Sequence, residues 1–471
     1  MRHMISALDS KVMDANSEAL GVGTDILMDN AGKALADFLT ERFSGKRFII
    51  FCGRGNNGGD GSAAACHMEG EDVTLCLIGS PENIKSHSAA AFYAKAGCPK
   101  VPFDSPGTGY DVLVDAVLGT GISGEVKPEY SAYIDLTRRF KGTIVSVDVP
   151  TGFGTGKQVL PDFTVTMHDT KEGMDAENCG VIVIADIGMP EKAYTHTGPG
   201  DMYRYPRPDA RSHKGANGRL LVIGGGPFYG APAMAAMAAM RTGIDLATVA
   251  VPENCYHEVA AVSPVLMVHP LKGNILRHEH VKELLDMAEN NDAVLIGPGL
   301  GRDPKTSEAV KEFVSLCDKP LVIDADGLNA LGMDFVARNP ETVLTPHHME
   351  FMRLTNSEGN DENAMASAAH MNAVIVLKGK DDIITDGERI KYNSSGSVGM
   401  TTGGTGDVLA GIIAGLMSKK MDAYDAGCLG AYLSGKAGER AFAKFSYGMI
   451  ATDVIRYIPK AICNGLDRLG I

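Results

Sequence analysis

A glycine-rich loop in the first quarter of the chain carries more polar groups than a plain turn needs. It follows an apolar run at 47–52, reads GRGNNGGDG at 53–61, and places Asn56, Asn57 and Asp60 among its glycines. Glycines let a backbone approach a phosphate, whose charge is favoured by the amides of a helix start. The next apolar run ends without the acidic residue that binds ribose in dinucleotide-dependent dehydrogenases. The loop therefore predicts nucleotide binding of another kind, with a polar turn capping a helix as the alternative.

Two further strand ends carry matching chemistry. Asp115 lies in the apolar run at 112–118, shortly before a Gly-Thr-Gly sequence at 119–121, and Asp148 begins the sequence DVPTG at 148–152. Ligands of open α/β sheets bind outside the carboxyl ends of the strands. The three polar loops are therefore expected to converge on one crevice, and together they outweigh the alternative of a capped turn.

A second glycine loop precedes a strongly apolar helix near the end of the chain. Residues 403–407 read GGTGD and lead into an apolar run at 408–417. Successive backbone amides at such a helix start form an anion hole, and Asp407 beside them can take a hydroxyl proton. The sequence therefore predicts phosphoryl-transfer chemistry without a P-loop.

The elements that must position these loops alternate between buried strands and helices. Continuous rather than alternating apolarity marks strands buried on both faces, hence parallel sheets covered by helices. Predicted strands lie at 47–52, 73–78, 112–118, 143–149, 181–187, 219–223, 246–251, 293–296, 320–324 and 373–377. Predicted helices lie at 25–43, 86–96, 231–243, 304–316, 361–371 and 407–418.

The strand pattern stops between Gly188 and Lys214, where glycine, proline and charged residues concentrate as they do in interdomain linkers. A chain of 471 residues also exceeds the size at which a single core usually stops growing. We therefore expect an α/β protein of two three-layer αβα domains, at 1–204 and 205–471, with the boundary near residue 205.

Composition narrows the function classes. The chain has 44 Lys plus Arg against 58 Asp plus Glu, a net charge of −14, and no long basic block, so neither nucleic acid nor a membrane is an expected partner. Its nine cysteines are scattered and never spaced Cys-x-x-Cys, which argues against disulfides and a zinc site. The N-terminus lacks the apolar core of a signal peptide. We expect a cytoplasmic protein that assembles as a homo-oligomer.

The first half of the chain resembles the NAD(P)H-hydrate epimerase family, also called the YjeF N-terminal domain. The resemblance rests on residues 56–61, 115–121 and 148–152, with the NNGGDG run as its strongest element. It implies a Rossmann-like fold, a hydrated NADH or NADPH as substrate, and a potassium ion bound by Asn57, Asp115 and Thr151. The residues implied to contact the substrate are Asn56, Asn57, Gly58, Gly59, Asp60, Gly119, Thr120, Gly121, Ile122, Ser123, Gly124, Glu125 and Asp148.

Catalysis in this half is expected from Asp148 together with Lys171, which matches a late lysine of the family. Inverting a carbon that bears a hydroxyl beside a ring nitrogen needs a proton acceptor and a proton donor. The two side chains can fill these roles if burial and their mutual proximity tune their pKa values. A solvated surface lysine is the alternative for Lys171.

The second half resembles the NAD(P)H-hydrate dehydratase family, the YjeF C-terminal domain, which has a ribokinase-like fold. Besides the 403–407 loop, the resemblance rests on GGG at 224–226, GPGLG at 297–301, DADGLN at 324–329, TPH at 345–347 and KG at 378–379. It implies a substrate pocket that contains Ala231, Gly299, His347 and Asp407, with Asp407 as the catalytic base. ADP or ATP, with Mg²⁺, would be held by Lys378, Gly379, Lys380, Asp381, Asp382, Thr405 and Gly406.

Some of these assignments have alternatives. Lys380, Asp381 and Asp382 stand where the family commonly has small residues, and His347 could be purely structural. The second half could be a small-molecule kinase for a vitamin precursor or sugar, because both chemistries begin with the same transfer. The first half could be a noncatalytic nucleotide-binding module. Both resemblances together favour a repair enzyme that interconverts the R and S hydrates and dehydrates the S form with ADP, or ATP, as donor.

Overall fold

The computed structural model describes residues 4–121 and 124–471. The chain divides into two compact units, Met1–Ala193 and Tyr194–Ile471. The division falls before the predicted boundary near residue 205, because residues 197–204 pack with the second unit. The amide of Thr197 donates a 2.8 Å hydrogen bond to the carbonyl of Tyr392, and Met202 is buried in the core of that unit.

The first unit contains one parallel sheet of seven strands. The strands are β1 Arg47–Cys52, β2 Asp72–Leu77, β3 Lys100–Pro102, β4 Val112–Ala116, β5 Thr143–Val147, β6 Phe163–Met167 and β7 Val181–Ala185. The helices are α1 Ala7–Ala19, α2 Thr24–Arg42, α3 Asn56–His67, α4 His87–Lys95, α5 Pro128–Thr137, α6 Ala176–Cys179 and α7 Glu191–Thr195, which spans the division. The strand order is β3-β2-β1-β4-β5-β6-β7, so the winding reverses between β1 and β4, and a crevice is expected at their carboxyl ends.

Helices cover both faces of this sheet. Successive residues of β1 face opposite sides: Ile50 packs in one hydrophobic cluster with Leu35 of α2, and Phe51 packs in another with Tyr133 of α5. The rings of Phe51 and Tyr133 have their centroids 5.0 Å apart. The continuous apolarity of the strand thus reflects burial on both faces.

The second unit repeats this winding on a larger scale. Its strands are β8 Arg219–Ile223, β9 Leu246–Pro252, β10 Met267–Leu271, β11 Ala293–Ile296, β12 Leu321–Ile323, β13 Thr342–Leu344, β14 Val374–Leu377, β15 Asp382–Thr385 and β16 Ile390–Asn393. Its helices are α8 Gly230–Met240, α9 Tyr256–Ala260, α10 Val281–Glu289, α11 Pro304–Leu316, α12 Asp326–Ala330, α13 His348–Thr355, α14 Asp361–Met371, α15 Thr405–Ser418, α16 Ala423–Phe445 and α17 Ala451–Leu469. Short 3₁₀ helices lie at Pro81–Asn83 in the first unit and at Pro199–Arg204, Glu253–Cys255, His278–His280, Val398–Thr401 and Ser446–Gly448 in the second.

The sheet of the second unit has the strand order β10-β9-β8-β11-β12-β13-β14-β15-β16. The strands from β8 to β14 pair in parallel, and β15 and β16 add an antiparallel hairpin at one edge. Leu221 packs with Phe313 of α11 on one face, and Leu220 packs with Leu416 of α15 on the other. No helix in the described part of the chain is long and apolar enough to cross a membrane.

The predicted α/β class, with parallel sheets between helices, is confirmed. The sequence pattern finds the longest buried strands but does not predict β3, β6, β10, β13, β15 or β16. Most of these have only three or four residues or are partly exposed, as in β3, β15 and β16, so their apolar signal is weak.

We predict that Gly53→Ala destabilises the first unit, whereas Gly55→Ala in the same loop does not. A Cβ on Gly53 would lie 1.8 Å from the carbonyl oxygen of Val117, whereas a Cβ on Gly55 would meet open space. Overpacking of this kind costs about 1–3 kcal/mol or more. Calorimetric unfolding of both variants measures the difference, and equal stability of the two would show that the close approach is unimportant.

Candidate active sites

The first unit contains a cavity of about 870 Å³ at the carboxyl ends of its strands. Its walls come from helices α1 and α2 and from the segments that follow β1, β4, β5 and β6. Each of the three polar loops that the sequence singles out contributes to the wall. The predicted site residues in the wall are Asn56, Asn57, Asp60, Gly119, Thr120, Gly121, Asp148 and Lys171.

The predicted contact residues are not all in this wall. Gly58, Gly59, Gly124 and Glu125 are not among the residues that line it. Gly58 has a structural reason to be glycine, since a Cβ there would lie 2.0 Å from the carbonyl oxygen of Gly53. Ile122 and Ser123 lie outside the described residues.

The polar residues of the first glycine loop belong to a helix rather than to a loop. Helix α3 begins at Asn56, earlier than the small-residue run after residue 61 suggests. Among the described residues, no side chain caps its N-terminus, where Gly55, Asn56 and Asn57 line the cavity. The uncapped amides and the helix dipole favour an anion at this end of the cavity.

Asn57, Asp115 and Thr151 are all buried, and Asp115 and Thr151 are joined by hydrogen bonds. Asp115 accepts hydrogen bonds from the Thr151 hydroxyl at 2.6 Å and amide at 2.9 Å, from Ser146 at 2.9 Å and from Tyr133 at 3.1 Å. Burial raises the pKa of Asp115, and these hydrogen bonds oppose the rise. Neither polar atom of the buried Asn57 amide has a hydrogen-bond partner among the described residues. Carboxylate, hydroxyl and amide oxygens of this kind are the ligands that a hard cation prefers.

Asp148, three residues before Thr151, adopts an unusual backbone conformation. Its φ of +63° lies in the left-handed region, which costs a residue other than glycine about 1–3 kcal/mol. A Cβ on Gly119 would lie 3.6 Å from both Oδ2 of Asp148 and Cβ of Asn57, so both side chains lie at the same point of the cavity. Such a conformation persists only where the surrounding structure fixes it.

Lys171 is buried and forms an ion pair with Asp148, its Nζ lying 2.5 Å from Oδ1. The same ammonium donates hydrogen bonds to the Thr166 hydroxyl at 2.9 Å and to the carbonyls of Met167 at 2.7 Å and Asp169 at 3.1 Å. The alternative of a solvated surface lysine is therefore wrong. The three hydrogen-bond acceptors fix the position of the ammonium, and the ammonium holds the Asp148 carboxylate in place.

Two more carboxylates, of Asp14 on α1 and Asp60 on α3, line the same cavity. Burial by the cavity walls, followed by the Asp148 charge, raises the pKa of Asp14 to about 6, although Lys171 opposes the shift. Burial and the charges of Asp148 and Asp14 raise the pKa of Asp60 well above its usual range. Asp14 has a large exposed area, but that area faces the crevice, so desolvation still acts on it. Sequence reasoning missed Asp14 because it lies in no motif.

In the second unit, Asp407 lies in the first turn of α15, next to the ends of three strands. Gly404 precedes the helix with a φ of +93°, a conformation that favours glycine. The buried Asp324 follows β12 and accepts hydrogen bonds from the Thr345 hydroxyl at 2.7 Å and from Nζ of Lys378 at 3.0 Å. A Cβ on Gly406 would lie 3.4 Å from the same Nζ, which places Lys378 beside the helix start.

The electrostatics of this cluster favour proton transfer. Burial, followed by the nearby Asp324 charge, raises the pKa of Asp407 to about 7, against the opposing effect of Lys378. Burial alone would lower the pKa of Lys378, but the carboxylates of Asp324, Glu350 and Asp407 together raise it. The raised pKa of Lys378 favours its ammonium form, and a pKa of about 7 lets Asp407 exchange a proton near neutral pH.

The remaining predicted residues of this unit fall into two groups. Ala231 and Gly299 are neighbours, since a Cβ on Gly299 would lie 3.3 Å from Cβ of Ala231. His347 is half exposed, and its Nδ1 accepts hydrogen bonds from the amides of Met349 at 3.1 Å and Glu350 at 3.3 Å. It thus caps α13, the structural role that sequence reasoning gave as its alternative.

Several side chains predicted to hold the nucleotide already have partners. Asp382 accepts hydrogen bonds from the amide of Gly379 at 3.0 Å and from Asn393 at 2.9 Å. The Thr405 hydroxyl donates to the carbonyl of Met400 at 2.7 Å. Lys380 and Asp381 are exposed. The groups best placed for a phosphate are therefore the amides of the α15 helix start and the ammonium of Lys378.

The two sites define an α/β enzyme of two units, each with a helix start, acidic side chains and a lysine gathered at the carboxyl ends of parallel strands. The family model described as YjeF-related protein N-terminus matches residues 24–173, and the one described as NAD(P)H-hydrate dehydratase matches residues 220–460. The chain belongs to the family of bifunctional NAD(P)H-hydrate repair enzymes. Both resemblances drawn from the sequence are confirmed.

Relatives with that name match along the full chain. One from Archaeoglobus fulgidus is 40% identical over 97% of this chain and 98% of its own length, and one from Moorella thermoacetica is 34% identical over 98% and 97%. Among solved structures, an ADP/ATP-dependent NAD(P)H-hydrate dehydratase from Bacillus subtilis, co-crystallised with ATP and Mg²⁺, is 28% identical with a TM-score of 0.50 over 56% of this chain and 96% of that one. A ribokinase-like superfamily protein from Enterococcus faecalis is 28% identical with a TM-score of 0.52, over 57% of this chain and 95% of its own. These two structures confirm the ribokinase-like fold.

We predict that Asp407→Asn raises the stability of the protein at pH 8. The pKa of Asp407 is about 7 in the folded protein against the ordinary 3.8. The unfolded state therefore loses its proton first, and native stability falls as the pH rises from about 4 to 7. Removing the charge should increase the free energy of unfolding at pH 8 by at most about 4 kcal/mol, and by almost nothing at pH 3.5.

The control for this variant is Asp245→Asn. Burial by itself would raise the pKa of Asp245. Hydrogen bonds from Asn217 and Gly215 nevertheless hold this pKa below its usual value. Its charge therefore stabilises the folded state, and its loss should lower stability at pH 8. Urea titrations at both pH values measure both changes, and a loss of stability in Asp407→Asn at pH 8 would contradict the assigned environment.

Proposed function

We propose that this protein returns hydrated NADH and NADPH to their active forms. The first unit interconverts the R and S hydrates, and the second dehydrates the S form while ADP, or ATP, is cleaved to AMP, or ADP, and phosphate. The proposal is supported by a carboxylate next to a buried lysine in each unit, Asp148 beside Lys171 and Asp407 beside Lys378. Full-length relatives of the chain are named as repair enzymes.

In the first unit, a carboxyl group protonates the ring hydroxyl, and the C–O bond breaks with its electron pair leaving as water. The ring nitrogen supplies its lone pair to form a C=N bond. Water then adds to the opposite face of the carbon, and a carboxylate takes the released proton. Asp148 is one of the proton carriers, and Lys171 fixes its position through the 2.5 Å ion pair.

A potassium ion in this unit fits the residues present. The unsatisfied Asn57 amide and the buried oxygens of Asp115 and Thr151 would hold it. When bound, the ion supplies positive charge for the substrate's phosphates. Because Asp115 already accepts four hydrogen bonds, its contribution would be chiefly its charge.

In the second unit, Asp407 takes the proton of the ring hydroxyl as the oxygen attacks the terminal phosphorus of the donor. The bridging P–O bond breaks and the shorter nucleotide leaves. Phosphate then departs with the C–O electron pair, the ring nitrogen forms a C=N bond, and loss of a proton from the next carbon restores the dihydropyridine. Lys378 and the amides of Thr405 and Gly406 would hold the phosphates, and Mg²⁺ would supply charge neutralisation.

We further propose a cytoplasmic location and a homo-oligomeric assembly. The nine cysteines are all free thiols, six of them buried, which suits a reducing compartment. Light scattering of the purified chain tests the assembly.

We predict that Asp148→Asn and Asp407→Asn separate the two activities. With a mixture of R and S hydrates, ADP and Mg²⁺, the wild-type protein should restore the absorbance of all the reduced nucleotide. Asp407→Asn should lose dehydration by about 10²-fold or more yet still epimerise. Asp148→Asn should consume the S hydrate at the normal rate and slow conversion of the R hydrate to its spontaneous rate.

Two outcomes would count against the proposal. Accumulation of a stable phosphorylated product without recovery of absorbance would indicate the rival small-molecule kinase. Complete consumption of the R hydrate by Asp148→Asn at the wild-type rate would remove this residue from the chemistry. Rates with ADP and with ATP, compared at equal concentration, test the choice of ADP as donor.

We predict that K⁺ stabilises the first unit through Asn57. At a K⁺ concentration one hundred times the dissociation constant, linkage gives about 2.7 kcal/mol. Replacing a large organic cation with K⁺ at constant ionic strength should raise the Tm of the wild type and of Asn56→Ala. Asn57→Ala should not respond, and an equal response of both variants would exclude Asn57 as a ligand.

A further inference from the structure

We propose that Asp14 is the second proton carrier of the first unit, acting on the opposite face of the ring from Asp148. This inference rests on the proposed epimerisation, which requires a proton to be given on one face and taken on the other. The geometry that carries it is the position of Asp14 in the cavity wall, together with the occupied ammonium of Lys171.

Helix α1 is fixed over the site by backbone contacts. Ile5, just before the helix, pairs with Lys171 in a parallel bridge, in which its amide donates to the carbonyl of Thr170 at 2.9 Å and its carbonyl accepts from the amide of Glu172 at 3.1 Å. Near the other end of the helix, the side-chain amide of Asn16 donates a hydrogen bond to the carbonyl of Ala193 at 3.1 Å. Asp14 therefore lies on a tethered helix.

Lys171 is unsuited to be the second proton carrier. Its Nζ contacts Asp148 and donates to Thr166, Met167 and Asp169, all at 2.5–3.1 Å. A proton taken from this group would leave a neutral amine facing three oxygen acceptors and lose the Asp148 ion pair. The lysine is better described as a positioning residue.

The choice between the two remaining carboxylates falls on Asp14. Among the described residues, the Asp14 carboxylate has no hydrogen bond or ion pair, so it is available to a ligand in the cavity. For Asp60, burial and the charges of Asp148 and Asp14 raise the pKa well above its usual range, which favours the protonated form of this carboxyl. Asp14, with a pKa of about 6, can both give and take a proton.

The proton balance needs one protonated and one ionised carboxyl. In one direction Asp14 gives its proton to the departing hydroxyl, which leaves as water, and Asp148 takes the proton of the water that adds to the other face. In the reverse direction the roles exchange. No oxidant or reductant is involved, because one water leaves and one returns.

Several titratable groups surround Asp14, and the charges of two of them, Asp148 and Lys171, shift its pKa. The surrounding groups are Lys11 on its own helix, Asp60 on α3, Asp148 after β5, and His168 and Lys171 after β6, all in the wall of the cavity. The pH profile of the reaction will therefore report apparent values that belong to this set rather than to single residues. The diagnostic observation is the change in the profile when Asp14 is replaced.

The test uses the full chain without ADP, so that only epimerisation proceeds, and follows the R and S hydrates by chromatography. Asp14→Asn should lower kcat by about 10²- to 10⁴-fold with little change in KM. It should also remove the limb of the wild-type pH profile near pH 6, and Asp14→Glu should restore part of the rate. Glu18→Gln, an exposed change on the same helix, should match the wild type.

The possible failures are distinguishable. A rate for Asp14→Asn within threefold of wild type, or a limb near pH 6 that persists in it, would overturn the inference and leave epimerisation by Asp148 intact. Absence of epimerisation in the wild type would overturn the proposed function of the unit itself. Thermal unfolding of the first unit, followed by calorimetry, reports whether each variant folds, and dehydration of the S hydrate with ADP confirms that the second unit is intact. If Asp14→Asn does not fold, Asp14→Glu provides the test. The inference then requires that the limb of the pH profile near pH 6 shifts in Asp14→Glu, and an unchanged limb would overturn it.

Discussion

In each unit, one lysine faces more carboxylates than it can neutralise. Lys171 pairs with Asp148 while Asp14 and Asp60 lie in the same cavity, and Lys378 pairs with Asp324 while Asp407 lies nearby. Because burial and like charge both favour the neutral form of a carboxyl, the pKa values of Asp14, Asp60 and Asp407 are all raised. The proton-transfer chemistry that we propose for both units depends on this imbalance.

The backbone keeps these charges in place. Asp148 and Ala325, the residue after Asp324, both adopt positive φ at the carboxyl end of a parallel strand, at +63° and +50°. Such conformations persist only where the surrounding structure fixes them, and they aim a side chain in a direction that a regular strand would not allow. Both sheets wind in the same order, so the same edge carries the site in each unit. The helix starts at Asn56 and Thr405 then add backbone amides that favour a phosphate.

The structure also distinguishes side chains that can carry a proton from side chains that only hold their neighbours in position. Lys171 and His347 both stand out in the sequence as candidates for chemistry. In the fold, Lys171 is occupied by four oxygen partners and His347 accepts hydrogen bonds from the first turn of α13. Both are better explained as residues that orient their neighbours, and the proton-carrying role that we infer passes to a carboxylate on the N-terminal helix.

The sequence by itself determined the α/β class, the longest buried strands, the two glycine-rich loops and the family. These features are local, because continuous apolarity and glycine spacing can be read along the chain. It did not determine the short strands β3 and β13, the start of the second unit before residue 205, or the place of Asp14. Only the tertiary structure decided these, because they depend on contacts between distant segments. The bridge from Ile5 to Lys171 brings α1 to the cavity, and burial beside Asp148 then gives an ordinary helical aspartate a raised pKa.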